Sequence, residues 1–248
     1  MEKIRFYSSN IGPIKENELK TLKKAIDICL VNKEIQEIIA LIHTKGNTGY
    51  LERIFDTTNT KQFFTGIKID VSVPVIKTET VKTINDDRNK KRVLIAFGLR
   101  SEELYLYDKF ESVIAIIAHQ WSKDGVKEWA KTWGATDILT NEVSEKHKLP
   151  NKVIQNALSD LTNSINMSTG ILNTSDENLC KTYLRALNKY GYELNSVEIN
   201  SYLISELHWQ SDDAKEVIKL IDKLNSGGYF KGGDKTGLQN HIKRWKAN

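Results

Sequence analysis

His43 closes the apolar run EIIALIHT, and His119 closes VIAIIAH. If both runs are strands of one parallel sheet, the two rings lie at the same edge. A general base or a metal ligand is then geometrically open. No carboxylate stands at a metal-ligand spacing beside either ring, so the competing reading is two hydrogen-bonded strand-end histidines. The loop HTKGNTG (43–49) leaves the first run towards a helix. Gly46 and Gly49 let the backbone approach a ligand, Thr44, Asn47 and Thr48 offer hydrogen bonds, and Lys45 offers charge. Successive N–H groups there would suit a phosphate. The loop is neither a Walker A sequence nor a dinucleotide GxGxxG, and it also reads as a plain turn.

A second loop, FGLRSEE (97–103), leaves another apolar run. Gly98 marks the strand exit. Arg100 is a two-pronged donor for phosphate or carboxylate, or else a surface arginine paired with Glu103. Trp121 directly follows the run that ends at His119. It offers a flat face to a base or other planar ring. Trp129 and Trp133 stand four apart on one helix face, where packing is the ordinary role. His43, Thr44, Lys45, Gly46, Gly98, Arg100 and Trp121 make up the expected ligand-binding set.

The elements that must position these residues change character near residue 145. Before it, short β-rich apolar runs alternate with helical segments. ENELKTLKKAIDICLVNK (16–33) spaces Leu19, Leu22, Ala25, Ile26, Cys29 and Leu30 like an amphipathic helix. Runs at 37–44, 93–98 and 113–119 read as buried central strands. IKIDVSV (67–73) alternates strictly and reads as an edge strand ended by Pro74. SKDGVKEWAKTWG (122–134) reads as a helix capped by Ser122 and stopped by Gly134, and ATDIL as a last short strand. The pattern predicts an α/β fold: a mostly parallel open sheet with flanking helices (Rossmann-like), followed by a small all-α domain. Ligands of such sheets bind beyond the carboxyl ends of the strands.

After Val143 nearly every apolar spacing is helical. Helices are expected at 153–165, 175–191, 196–209 and 211–228, with Ser175, Ser196 and Ser211 as starts and Gly191 and Gly227–Gly228 as stops. A bundle of four or five helices follows. YFKGGDKTG is expected to be loose. The polar stretch TNEVSEKHKLPNK (140–152), with Pro150 near a helix start, predicts a boundary between an α/β domain at 1–142 and a helical domain at 150–248.

The stretch DLTNSINMSTGILNTSDENLCKTYLRALNKYGYEL resembles the C-terminal part of a group of two-part bacterial proteins of unknown function. The shared features are an asparagine-x-serine-threonine-glycine loop, a serine-aspartate helix start and a glycine-tyrosine stop. HQWSKDGVKEWAKTWGA is similar to the end of the same group's α/β part. The resemblance implies that the two parts travel together, and it lends no activity.

Composition narrows the rest. Net charge is +4 over 248 residues, spread thinly, which is not the footprint of a dedicated DNA binder. A local basic excess runs from Lys231 to Asn248, and it reads first as a solvated terminal helix. Cys29 and Cys180 lie far apart at apolar helical positions and read as reduced core thiols. The longest apolar runs are too short to span a bilayer, and the N-terminus lacks an apolar signal core. A cytoplasmic protein without a membrane partner is expected.

The expected function is binding of a nucleotide or other anionic metabolite at the carboxyl edge of the sheet. One alternative is a hydrolase using His43, Arg100 and His119 at that edge on a nucleotide-like substrate. A further alternative is association with nucleic acid through the basic C-terminus and KHK (146–148), against which the low charge argues. No nucleophile elbow, zinc signature or kinase set is present. Neither a cofactor nor an oligomeric state is specified.

Overall fold

The computed structural model describes residues 3–57 and 59–247. Asn248, which closes the basic C-terminal run, lies outside the described residues. The chain forms two compact units, residues 1–146 and 147–248.

The first unit is a six-stranded, all-parallel sheet in the order β3-β2-β4-β5-β1-β6. Its strands are β1 (Ile4–Ser8), β2 (Glu37–Ile42), β3 (Val75–Thr80), β4 (Arg92–Phe97), β5 (Val113–His119) and β6 (Thr136–Asp137). Its helices are α1 (Lys15–Val31), α2 (Gly49–Phe55), α3 (Lys61–Thr65), α4 (Ser101–Asp108) and α5 (Lys127–Trp133). As expected from their apolar runs, β2, β4 and β5 are adjacent and buried. A strand buried on both faces has no polar side to alternate with.

Side chains alternate between the two faces of the sheet. Ile38, Ala40, Ile42, Val93, Ile95, Phe97, Ala115 and Ile117 form one core with Leu22, Ala25 and Cys29 of α1 and with Tyr50, Leu51 and Ile54 of α2. Ile39, Leu41, Leu94, Ala96 and Ile116 are equally buried on the opposite face, where α4 and α5 pack against β5 and β1.

Three expectations need correction here, and one strand had gone unread. Residues 67–73 are not a strand; only Ile67 makes a single antiparallel bridge, to Ile76. The Asp70 carboxylate accepts from the Ser72 backbone and hydroxyl at 2.8 and 2.6 Å and turns the chain. The strand at that edge is β3, which starts directly after Pro74. β1 was not legible as a strand because it carries Arg5. That charge stacks on the Trp133 ring at 3.8 Å and pairs with buried Asp108 at 2.8 Å. Ser122 does not cap α5; a tight turn through Asp124 (φ 58) intervenes before the helix begins at Lys127. The buried face of α1 carries Glu18, Thr21, Leu22, Ala25 and Cys29, whereas Leu19 and Leu30 point outwards.

The second unit comprises α6 (Lys152–Ser164), α7 (Thr174–Lys189), α8 (Ser196–Ser205), α9 (Ser211–Asn225) and α10 (Leu238–Ala247). Asn151, Asn173 and Asn195 cap the first three, each accepting from backbone N–H groups of the first turn. Asn173, rather than Ser175, therefore opens α7. Pro150 immediately precedes the Asn151 cap. The segment expected to be loose is tied to α7. Arg185 donates to the carbonyls of Phe230, Gly232 and Asp234, and Asn178 accepts from Gly233 N. In α10, Arg244 pairs with Asp160, so part of the basic run serves the bundle itself. Cys29 and Cys180 are buried free thiols, and burial raises their pKa values to about 11 and about 12. No helix among the described residues is long and apolar enough to cross a membrane.

Candidate functional site

The parallel sheet brings the ends of β1, β2, β4 and β5 to one edge. The strand-end row there is Phe97, His119 and Ser8, in register across β4, β5 and β1. His119 has the same parity as Ala115 and Ile117, so its ring faces α1 and α2. Its Nδ1 meets the Thr21 hydroxyl at 3.1 Å, and its buried Nε2 has no partner among the described residues. Burial, and then the positive charge of Arg53, lower the His119 pKa to about 4.

His43 follows Ile42 and therefore points to the other face. Its Nε2 lies 3.0 Å from the Glu103 carboxylate of α4. The same carboxylate accepts from the Arg100 backbone N–H at 2.8 Å, fixing the start of that helix. Glu103 thus serves His43 and a backbone amide, not the Arg100 guanidinium. The two histidines share an edge but not a face, so the structure does not bring them together. No group of three or more His, Cys, Asp or Glu side chains suited to a metal occurs among the described residues.

Beside the row lies a cavity of about 230 Å³ lined by Pro13, Gly46, Asn47, Gly49, Tyr50, Arg53 and Trp121. Tyr50 stacks on Phe97 with ring centroids 4.7 Å apart, and it meets Trp121 edge-on at 5.5 Å. Trp121 keeps 53% of its surface exposed. Gly98 holds φ 74 beneath it, and a Cβ there would lie 2.9 Å from the Tyr50 hydroxyl and 3.1 Å from the Trp121 ring. The glycine is needed for this close approach.

Arg53 reaches the cavity from α2 while bound to Glu18, a carboxylate with no exposed surface. Nε donates to both Glu18 oxygens at 3.1 and 3.0 Å, and Nη2 donates to one at 2.5 Å. Nη1 makes no hydrogen bond among the described residues and lies 3.2 Å from where a Gly49 Cβ would stand. The Glu18 hydrogen bond raises the Arg53 pKa. Burial, and then the Glu18 charge, raise that of Tyr50, whose hydroxyl has no partner among the described residues.

Of the seven residues expected from sequence, Gly46 and Trp121 line this cavity and Gly98 lies against Trp121 and Tyr50. His43 is paired with Glu103 of α4, and Arg100 precedes that helix with only its backbone N–H held by the same carboxylate and its side chain exposed, outside the cavity lining. Thr44 closes its own loop: its amide and hydroxyl donate to Asn47 Oδ1 at 3.1 and 2.9 Å. Lys45 sits over the Phe64 ring at 5.8 Å. Glu18, Thr21, Tyr50 and Arg53 were missed. The available signal was Glu18 itself, a carboxylate on the apolar stripe of α1, which demands a cation.

Residues 150–246 match a domain of unknown function, DUF1889. The match covers the helical unit that follows the α/β region. No curated protein and no solved structure matches the chain.

Proposed function

We propose that the α/β unit binds a small ligand combining a planar ring with an anionic or oxygen-rich group, of the nucleotide class. The observation that carries this reading is the half-exposed Trp121 ring facing a cavity into which Arg53 extends. A ring ligand stacks on the indole, and Arg53 Nη1 donates to the ligand's oxygens. Glu18 orients the guanidinium through its other nitrogens. The positive group is thus Arg53, in place of Arg100 or Lys45. The hydrolase alternative loses its geometric basis because His43 and His119 face opposite sides of the sheet.

Calorimetry with nucleoside monophosphates, and with the nucleosides that lack the phosphate, tests this. Trp121→Ala should weaken binding by roughly 1–3 kcal/mol, the usual contribution of stacking on an aromatic side chain. Arg53→Lys, which keeps a cation for Glu18, should narrow the difference between nucleotide and nucleoside. No binding of any member, or binding indifferent to Trp121→Ala, refutes the reading.

A further inference from the structure

The ends of β1 and β5 are a point where the chain's connections diverge. The helix after β1 packs on one face of the sheet, and the helix after β5 packs with α4 on the other. A crevice opens between neighbouring strands of this kind. Here it holds a second cavity of about 400 Å³, distinct from the one beside Trp121, walled by the loop after β1, the turn after β5 and one side of α5.

We infer that this crevice binds a compact polyanion bearing phosphate groups, through Lys123, Lys127 and Lys131. All three line the cavity. Lys127 and Lys131 stand one turn apart on α5 and share its side. The turn at Asp124, with φ 58, brings Lys123 to the same wall. One acid, Asp124, lines the cavity too, and its carboxylate lies 3.5 Å from the Lys127 ammonium. Lys123 and Lys131 make no ion pair among the described residues.

Hydroxyls complete the set. Ser144 Oγ donates to Tyr7 Oη at 3.2 Å, which leaves the phenol proton free to donate. Ser9 Oγ makes no hydrogen bond among the described residues, and the Ser9 carbonyl is held by Gln120 Nε2 at 2.6 Å. Ile11, Val126 and Ala130 line the cavity beside them, so the charges face a recess with an apolar wall. Such a recess, with neutral donors beside the lysines, suits a compact phosphate better than an extended nucleic-acid backbone. This inference is independent of the Trp121 cavity.

The test is calorimetry of inorganic pyrophosphate against the full chain. Lys123→Gln and Lys131→Gln should each weaken binding roughly tenfold to a hundredfold, as loss of a charge-assisted donor does. Ser9→Ala should weaken it less. Trp121→Ala and Lys23→Gln, an exposed lysine of α1, should leave it unchanged, with thermal melting confirming that every variant folds. The inference is overturned by absence of binding at millimolar pyrophosphate, or by an equal loss in Lys23→Gln. Loss in Trp121→Ala overturns it as well, and in that case the nucleotide reading survives as a single site. A single-stranded oligonucleotide that binds through Lys131 while pyrophosphate does not would assign the lysines to nucleic acid and overturn it too.

Discussion

Acidification should destabilise the α/β unit through His119. The ring is fully buried, its partner Thr21 is neutral, and the positive charge of Arg53 acts against its protonation. Tyr50 and Phe97 pack against it at 5.9 and 5.7 Å. Its folded pKa is about 4, against about 6.5 in an unfolded chain. Between those values the unfolded state binds the proton and the folded state does not, so stability rises with pH. The contribution is fully present above about pH 6.5 and is lost as pH falls towards 4. At about 1.4 kcal/mol per pH unit, the loss is roughly 2 kcal/mol between pH 7 and pH 5, and about 3 once the window is crossed. Urea unfolding at a series of pH values measures it for the native chain and for His119→Asn, whose amide can still meet the Thr21 hydroxyl. The stability of the native chain minus that of the variant should fall by about 2 kcal/mol on going from pH 7 to pH 5, whatever its value at neutral pH. Parallel curves would refute the reasoning. So would a ring resonance of His119 titrating near 6.5 in the folded protein.

Arg53→Met leaves the Glu18 carboxylate buried without its partner and should cost about 3 kcal/mol, the lower end for a broken buried pair because Arg53 is partly solvated. The Glu18→Gln/Arg53→Met double variant should cost less than the two single changes summed, as a double-mutant cycle in urea would show. Gly98→Ala forces a side chain into positive φ against Tyr50 and Trp121, and should lower stability by roughly 1–2 kcal/mol and shift tryptophan fluorescence. Asn195→Ala removes the acceptor for Val197 and Glu198 amides, with an expected loss of about 1 kcal/mol in the helical unit's unfolding transition.

Sequence periodicity alone determined the class of each half of the chain. Continuous apolar runs in β2, β4 and β5 need burial on both faces, and their alternation with helical segments points to a helix-covered parallel sheet. The helical spacings and glycine stops of the second half need only local hydrogen bonding and one apolar stripe per helix, so α6 to α9 were legible too. The short strand β1 was not, because the environment that accepts Arg5 comes from Asp108 and Trp133, over a hundred residues away. Nor was the failure of 67–73 to pair, which a local Asp70 turn decided against its own alternation. At the site, sequence placed Gly46, Gly98 and Trp121 at the carboxyl edge because parallel strands all end at the same edge. Which face each side chain takes is a matter of parity within a strand, and a one-residue step separates the exposed-edge His43 from the face that buries His119. The pairing of Glu18 with Arg53 is likewise tertiary: α1 and α2 must dock before a carboxylate on an apolar stripe meets its cation.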